Sequence, residues 1–456
     1  MSKMQMNNYL CLLIACTFLL VSACKQKDAA GDQPVVISKH TIPVNTDNID
    51  KTVTDSLGGA GFENLAEGLG WETNTNFNTY NNVSAPKGGS FHMSFPEYPS
   101  TLRTVGRDSR NRLNNLMQNL VYQPLLGLDS ETMEYIPNLA THWKISEDKM
   151  TYWFRLDPNA KWSDGQPVVA KDVIATWDLM RDEGIESPSE NETYGKFERP
   201  EEVSKYIIKV PNKEENWRNF LYFSVSMAIF PNHYLEKIDG KNFLTKYDEQ
   251  MMPSTGPYTY DGSASKEGEL IVLKRRDDFW AKDYSVNKGL FNFDQLKFSF
   301  VADDRLALEK VKKGEFDFHT IQRAQWWKEE LTADKDDNLK RNLLQKVKVF
   351  NFKPAGTQSL MLNTLEPPFD DINVRKAMGH LWNIEESVEK LMYNEYERCV
   401  SYYQGSVYQN KSNEVALYNP DKAVALLAKA GYTKKAGEKW LSKDGKRLEI
   451  DLRIAS

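Results

Sequence analysis

The sequence predicts an α/β protein with more than one domain. Its 456 residues are too many for one small domain and suffice for two or three cores of about 150 residues each. Apolar residues make up 40% of the chain and charged residues 27%, a balance typical of a soluble globular protein rather than a disordered or membrane-spanning one. Short strand-like runs alternate with helical patterns and turns, which favours the α/β class.

The clearest strand, turn and helix in succession lie between residues 151 and 180. The run 151–156 is rich in strand formers, and one of its faces consists of Tyr152, Phe154 and Leu156. A turn is predicted at 160–165. We expect Asp172 to cap a helix with a buried face made of Val173, Ile174, Trp177 and Met180. A similar helix is predicted at 422–430, with Gly431 just beyond its end.

Two further helices are predicted between these. The first follows the acidic pair 303–304 and ends at Gly314, and the alternation of 315–318 then indicates a strand. The second follows the proline-rich stretch 367–371 and is expected to bury Val374, Ala377, Met378 and Leu381.

The first residues predict an export signal rather than a membrane span. The run from Tyr9 to Val21 is apolar apart from Thr17, but a helix needs about 20 such residues to cross a bilayer. It ends in Val-Ser-Ala before Cys24, which resembles a bacterial lipobox, so we predict a lipoprotein signal peptide over 1–23 and a lipid on Cys24. An ordinary signal peptide with a coincidental cysteine is the alternative.

Cleavage of the signal peptide would leave a single free thiol in the mature chain. Cys11 and Cys16 would leave with it and Cys24 would carry lipid, so Cys399 would be the only thiol and no disulfide could form within the chain. We expect Cys399 to be a small buried hydrophobe. Residues 24–84 are predicted to comprise the anchored cysteine and a flexible tether, most clearly as far as Ser56.

Charge and motifs exclude several classes of function. The net charge of −6 argues against nucleic-acid binding, which normally requires a basic face. The chain lacks the sequence signatures of a nucleophile elbow, a zinc-protease helix, a Cys-x-x-Cys pair and a phosphate-binding loop. We therefore predict no catalytic residue, no metal site and no cofactor, although carboxylates brought together from distant segments stay possible.

A set of short motifs occurs in a fixed order along the chain. PNLATHW at 137–143 leads to WSDGQPV at 162–168 and AKDV at 170–173, and these are followed by STGPY at 254–258, RDDFW at 276–280 and PPFDDINVRKA at 367–377. Together they resemble the bacterial extracellular solute-binding proteins of family 5, the oligopeptide- and dipeptide-binding components of ABC importers. APKGG at 85–89 and YNEYER at 393–398 are similar to the YejA branch, from which the chain departs around 97–111 and after Gly405.

The resemblance implies a periplasmic-binding-protein type II fold, with two lobes joined at a hinge and an extra domain inserted in the first. The first lobe would comprise 85–115 and 230–345, the inserted domain 116–229, and the second lobe 346–456. Family members usually continue well beyond Gly431, so the second lobe is expected to be incomplete here, either because the sequence is a fragment or because the gene is truncated. The aspartate that holds the ligand's amine in oligopeptide binders would lie beyond Ser456.

The implied function is non-enzymatic capture of oligopeptides, or peptide-like compounds, between the two lobes for delivery to an ABC permease. We expect a monomer anchored by its lipid in the cell envelope, facing the periplasm or outside the cytoplasmic membrane, with sorting to the inner or the outer membrane left open. The stretch before the first long helix borders the ligand in the family, which suggests Val105, Gly106, Arg107 and Asp108 as binding residues. Tyr258 is a further candidate, although its neighbours Gly256 and Pro257 could simply form a turn.

Three alternatives remain at this stage. The same fold could bind an oligosaccharide or a metal chelate, since fold does not determine ligand. The protein could instead be a lipid-anchored hydrolase with an unfamiliar site, or the nonfunctional product of a shortened gene.

Overall fold

A computed structural model describes residues 36–39, 49–349, 356–357, 359–406 and 408–452. These divide into two compact units, the first comprising residues up to 307 together with 315–317, the second comprising 308–314 and the residues from 318 onward. None of the helices in this described part has the length and apolar character needed to cross a membrane. The predicted signal peptide and Cys24 lie outside it. The lobe and domain borders given above stay predictions.

Strands and helices alternate as the sequence predicts for an α/β protein. The strands are β1 (Val36–Lys39), β2 (Asn78–Asn81), β3 (Ser90–Phe95), β4 (Leu126–Leu128), β5 (Tyr135–Pro137), β6 (Ala140–Ile145), β7 (Thr151–Leu156), β8 (Glu201–Glu202), β9 (Ile207–Pro211), β10 (Tyr258–Tyr260), β11 (Leu270–Arg275), β12 (Gln295–Phe300), β13 (Thr433–Lys434), β14 (Leu441–Lys443) and β15 (Lys446–Arg447). The α-helices are α1 (Phe62–Leu65), α2 (Arg112–Val121), α3 (Ala170–Arg181), α4 (Pro188–Tyr194), α5 (Trp217–Leu221), α6 (Asn232–Leu235), α7 (Gly240–Lys246), α8 (Asp304–Lys312), α9 (Asp337–Lys340), α10 (Ile372–Leu381), α11 (Ile384–Lys390) and α12 (Pro420–Lys429).

The first unit contains two four-stranded sheets. One has the order β10-β11-β12-β3, in which β12 and β3 are parallel and the other neighbours antiparallel. The other has the antiparallel order β6-β7-β9-β8. A single buried cluster contains side chains of both sheets, among them Phe154 and Phe298, together with Met117 of α2.

The strand, turn and helix predicted between residues 151 and 180 are confirmed, with one difference at Asp172. This residue lies in the first turn of α3 instead of at its cap, which is Val169. Its buried carboxylate accepts hydrogen bonds from the Val169 amide at 2.7 Å, the Asn232 amide at 2.7 Å and the Trp162 indole at 3.3 Å. Burial raises the pKa of Asp172 although these bonds oppose the shift. The carboxylate thus ties the start of α3 to two other segments.

Residues 49–84 are folded onto the first unit, which differs from the tether predicted over 24–84. Phe62 is fully buried there. Glu72 and Trp143 of β6 exchange backbone hydrogen bonds of 2.7 and 3.0 Å. The difference arises because a few widely spaced apolar residues in this polar stretch dock on a neighbouring sheet, and such docking leaves no periodicity in the sequence. We call residues 49–84 the N-terminal arm.

In the second unit α10 packs against α12. The side chains they bury together are Val374, Ala377, Ala423 and Leu427. The prediction of α12 is confirmed, since Asn419 caps its start by accepting a 2.9 Å hydrogen bond from the Lys422 amide and Gly431 follows its end at a φ of 93°.

Three other sequence predictions are wrong. Leu381, expected in the core, is 43% exposed at the end of α10. Residues 315–318 form no continuous strand. Phe318 forms an isolated β-bridge, the Asp317 amide donates to the His92 carbonyl at 2.7 Å, and the His92 amide donates to the Asp317 carboxylate at 2.7 Å. Cys399, expected to be buried, is exposed. Leu381 and Cys399 are exposed because no described segment packs over them. Phe316, in contrast, is buried against the His92 ring although its segment forms no regular strand.

Candidate functional site

The chain before α2 and the chain before α4 border a pocket of about 400 Å³ in the first unit. We call it the 97–189 pocket. Its lining residues are Glu97, Tyr98, Pro99, Ser100, Gly106, Arg107, Asp108, Arg110, Asn111, Glu186, Ser187, Pro188 and Ser189. The lining is rich in charge of both signs, and three of the four residues suggested by the sequence before α2 belong to it.

Gly106 lets the two segments approach each other. Its φ of 86° lies in the left-handed region, and a Cβ there would stand 2.9 Å from Leu244 Cδ2 and 3.1 Å from the Ile185 carbonyl oxygen. The next residue continues the approach, because the Arg107 amide donates a 2.8 Å hydrogen bond to that same carbonyl. A side chain at position 106 would therefore separate the two walls of the pocket.

Buried polar groups hold the loop before α2 in place. The guanidinium of Arg103 donates to the Arg107 carbonyl at 3.1 Å and reaches the carboxylate of Asp248 at 3.2 Å. The Asn114 side-chain amide donates to the carbonyls of Thr101 and Arg103, each at 2.8 Å. Because Thr101, Arg103 and Asn114 are buried, the loop is built as part of the domain and is not a loose surface segment.

Arg107 carries the central charge of the pocket. Its guanidinium lies 2.7 Å from a carboxylate oxygen of Glu186 and 3.4 Å from one of Asp108. The hydrogen bond with Glu186 raises the pKa of Arg107. All three side chains are about half exposed. Arg107 can therefore leave Glu186 for a charged solute at a small cost in free energy.

A second basic residue, Arg110, joins the loop before α2 to α4. Arg110 lies 2.8 Å from Glu190, which also accepts hydrogen bonds from Ser187 and Ser189. Burial alone would raise the pKa of Glu190, but the bonds from Ser187, Arg110 and Ser189 outweigh it and the pKa is lowered. Glu190 therefore stays ionised and keeps Arg110 at the rim.

The two remaining sequence candidates lie elsewhere. Val105 adjoins the pocket but is buried among apolar side chains and does not line it. Tyr258 is buried in β10, where its hydroxyl donates a 2.9 Å hydrogen bond to the Phe293 carbonyl. Burial raises the pKa of Tyr258 to about 12. The structure brings Tyr258 to none of the pocket residues.

Sequence reasoning missed three charged residues that line the pocket, Glu97, Arg110 and Glu186. Glu97 and Arg110 flank the suggested stretch, and their nearness to it is the only signal that could have indicated them. Glu186 has no signal at all, because it is 79 residues from its partner Arg107.

The pocket can hold a polar solute by its charges. Arg107 and Arg110 suit a carboxylate, while Asp108 and the exposed Glu97 suit an amine. Within the described part of the chain, Glu97 forms no ion pair, and no group of three or more His, Cys, Asp or Glu side chains could hold a metal ion.

Comparison with solved structures defines the class of protein. The chain is similar to NikA from Brucella suis in complex with Fe(III)-EDTA, with a TM-score of 0.63, 22% identity, and coverage of 79% of this chain and 68% of that one. It is also similar to the oligopeptide-binding protein AppA from Bacillus subtilis in complex with a nonapeptide, with a TM-score of 0.62, 19% identity, and coverage of 80% and 68%. At these identities the likeness establishes the fold, that of type II periplasmic binding proteins.

The family follows from the sequence comparison. Residues 134–453 match the model of the bacterial extracellular solute-binding proteins, family 5 (middle), so the chain belongs to this family. Among curated relatives, it is 28% identical over 334 residues to the probable peptide-binding protein YejA of Agrobacterium fabrum, which confirms the YejA-like resemblance. That match covers 72% of this chain and 52% of the relative, so the chain spans about half the length of the curated relatives it matches.

Proposed function

We propose that this protein is the extracytoplasmic binding component of an ABC importer, and that it captures oligopeptides or peptide-like compounds and delivers them unchanged to a membrane permease. The observation that carries the proposal is the 97–189 pocket, which presents Arg107 and Arg110 beside Asp108 and Glu97 in a chain of family 5. A zwitterionic peptide offers an amine and a carboxylate, which match groups of both signs. Val105 and Tyr258 are both buried, so in this proposal Val105 packs in the core next to the pocket and Tyr258 packs in the sheet, and neither contacts the ligand.

A peptide ligand is also in keeping with the names of two similar proteins. The Agrobacterium relative is named a probable peptide-binding protein, and the AppA structure contains a nonapeptide. A backbone-directed mode of capture would give affinity with little dependence on side chains. Water in a polar pocket would adapt to different side chains, so broad specificity would follow.

Ligand identification tests the proposal directly. The full chain is purified from its native host without added ligand, and the compounds released on denaturation are analysed by mass spectrometry. Peptides at stoichiometric amounts would support the proposal, and recovery of oligosaccharides alone would overturn the peptide assignment. Peptides incubated with the protein should be recovered intact, whereas cleavage beyond stoichiometric amounts would indicate a hydrolase.

A metal chelate is the second candidate ligand. One observation favours it, namely the likeness to a NikA structure that contains Fe(III)-EDTA. A chelate rich in carboxylates would engage Arg107 and Arg110 but would be repelled by Asp108 and Glu97. Release of iron or nickel with an organic acid in the same experiment would favour this candidate over peptides.

We further propose that the protein acts as a monomer anchored in the cell envelope by a lipid on Cys24. The support is the thirteen-residue apolar run that ends in Val-Ser-Ala-Cys. The residues between Cys24 and the N-terminal arm would then connect the anchored cysteine to the first unit.

A further inference from the structure

The first unit contains a second and larger cavity, of about 820 Å³, where the N-terminal arm passes β5 and β6. We call it the arm cavity. Its walls include residues 63–74 of the arm on one side, and Tyr135, His142 and Trp143 on the other. It shares no lining residue with the 97–189 pocket.

Specific contacts hold the arm over this cavity. Besides the backbone pairing of Glu72 with Trp143, the indole N–H of Trp143 donates to the Glu72 carboxylate at 3.2 Å. The hydroxyl of Thr73 donates to the Thr141 carbonyl at 2.8 Å. These bonds fix the position of one carboxylate and one indole ring on opposite walls.

The charge of the lining is one-sided. Four carboxylates belong to it, those of Glu63, Glu67, Glu72 and Glu134, whereas no lysine or arginine does. Two cations close to these walls are already engaged in other contacts. Arg155 lies behind Glu63 at 3.0 Å, and the amine of Lys144 donates to the Leu69 carbonyl at 2.8 Å. Glu67 forms no ion pair within the described part of the chain. The lining therefore carries four carboxylates and no cation of its own, which suits a cationic ligand.

His142 supplies an independent indication of a ligand. Its side chain is only 7% exposed, and its Nδ1 lies 3.0 Å from the Thr141 hydroxyl. No described residue hydrogen-bonds its Nε2, although the ring lines the cavity. Burial and the nearby Arg155 lower the pKa of His142 to about 4, so the ring is neutral at pH 7. The Thr141 hydroxyl donates to the Arg155 carbonyl at 3.5 Å, so its oxygen can accept from Nδ1–H of His142. In that tautomer the neutral imidazole can accept a hydrogen bond from an amine at Nε2.

The aromatic walls complete the recognition chemistry. Trp71, Trp143 and Tyr135 line the cavity beside the carboxylates. Indole and phenol faces attract cations and pack well on apolar bodies. We propose that the arm cavity binds an organic ammonium ion with an aromatic or apolar body, its amine directed to Glu67, Glu72 and His142 and its body packed on Trp71 and Trp143. This site is separate from the proposed capture of peptides.

Calorimetric titration of the full chain with phenethylamine tests the proposal. Two probes of the same shape serve as controls, the uncharged 2-phenylethanol and the anionic phenylacetate. We expect phenethylamine to bind at least about tenfold more tightly than either, since only it can use both carboxylates and rings. Equal affinity for all three probes, or no heat from phenethylamine at millimolar concentration, would overturn the proposal.

Variants locate the binding. The double variant Glu67→Gln/Glu72→Gln keeps hydrogen-bonding groups and removes two charges, so phenethylamine should bind about tenfold more weakly. The control Glu236→Gln removes an exposed carboxylate that lines neither the arm cavity nor the 97–189 pocket, and it should leave this affinity unchanged. A reversed pattern would contradict the assignment. Circular dichroism checks that each variant is folded.

A spectroscopic measurement keeps the test independent of any folding defect. The Nε2 resonance of His142, assigned by its loss in His142→Gln, should shift on addition of phenethylamine and stay in place with phenylacetate. An unmoved resonance at saturating phenethylamine would overturn the assignment. Failure of the protein to bind peptides would leave every one of these outcomes interpretable, because the two sites share no residue.

Discussion

The guanidinium of Arg155 lies 3.0 Å from the carboxylate of Glu63, which joins the middle of a sheet to the N-terminal arm. The Arg155 side chain is 1% exposed and that of Glu63 is 34% exposed. Arg155 also donates to the Gly58 carbonyl at 3.1 Å and the Thr141 hydroxyl at 2.9 Å. Since burial lowers the pKa of Arg155 and the charge of Glu63 opposes this, the arm supplies the counterion that a buried cation needs.

Glu63→Gln should therefore destabilise the first unit. We expect the free energy of unfolding to fall by about 1–2 kcal/mol, a value reduced for the partial exposure of Glu63. Urea denaturation followed by circular dichroism measures it. Glu67→Gln is the matched control on the same arm and should change stability by less than about 0.5 kcal/mol. An equal effect of both variants would show that the arm does not balance the charge of Arg155.

Gly106→Ala should be among the more destabilising glycine substitutions in the first unit. It combines a left-handed φ with contacts under 3.2 Å, so a loss of about 2–3 kcal/mol is expected in thermal or urea unfolding.

Two other glycines serve as controls that separate the effect of the left-handed φ from the effect of the close contacts. Gly165 has a φ of 87° but no neighbour within 4 Å, so Gly165→Ala should cost only about 1 kcal/mol. Gly68 has neither feature, and Gly68→Ala should be neutral to within about 0.5 kcal/mol. If Gly106→Ala were no worse than Gly165→Ala, the close approach to Ile185 would have no energetic weight.

Most of the helices and strands that local sequence patterns predicted are correct, but these patterns could not predict burial that depends on contacts between distant segments. Alternation at 151–156 correctly indicated β7, and the helical pattern at 422–430 followed by Gly431 correctly indicated α12. The same reasoning failed at Leu381 and Cys399, because exposure depends on which segment packs above a residue. A sequence pattern does not contain that information.

The arm shows the same limit more strongly. Its few apolar side chains have no helical or strand period, so its composition suggested a tether. The structure instead buries Phe62 and Ala66 against Ile207 of β9. The pocket is similar in this respect, since resemblance indicated Arg107 and Asp108 but nothing along the chain indicated Glu186.

Arg107→Gln should weaken capture of a peptide. Loss of the cation removes the group that would meet a carboxylate, so the Kd of a peptide recovered with the purified protein should rise about tenfold. Titration calorimetry of the full chain measures this.

The control for Arg107→Gln is Arg199→Gln. Arg199 forms a similarly exposed 2.7 Å ion pair, with Asp178, but does not line the 97–189 pocket. Its replacement should leave the Kd unchanged. Equal weakening by both variants would argue for a general charge effect and against contact with Arg107.

Cys24→Ala should abolish incorporation of a radiolabelled fatty acid into the protein in its host. The thiol of Cys24 is the proposed attachment atom, and removal of that thiol leaves no acceptor. Cys399→Ala is the matched control, since Cys399 is exposed and free, and its labelling should equal that of the native chain. Undiminished labelling of Cys24→Ala would refute the anchor.

His142 should make the first unit sensitive to moderate acid. Its pKa is lowered from 6.5 to about 4 by burial and by Arg155, against the smaller opposing effect of Glu63. The unfolded chain therefore binds a proton at this histidine as the pH falls below 6.5, while the folded protein does not. Stability is lost between pH 6.5 and 4, by up to about 3 kcal/mol from this group.

The variant His142→Gln isolates that contribution, because carboxylates that titrate in the same range affect both proteins alike. The free energy of unfolding of the native chain, minus that of the variant, should be constant between pH 7 and 8 and fall between pH 6.5 and 4. Urea denaturation at a series of pH values measures the difference. A difference that stays flat down to pH 4 would mean that the ring is protonated in the folded protein, which would also remove the neutral acceptor from the arm cavity.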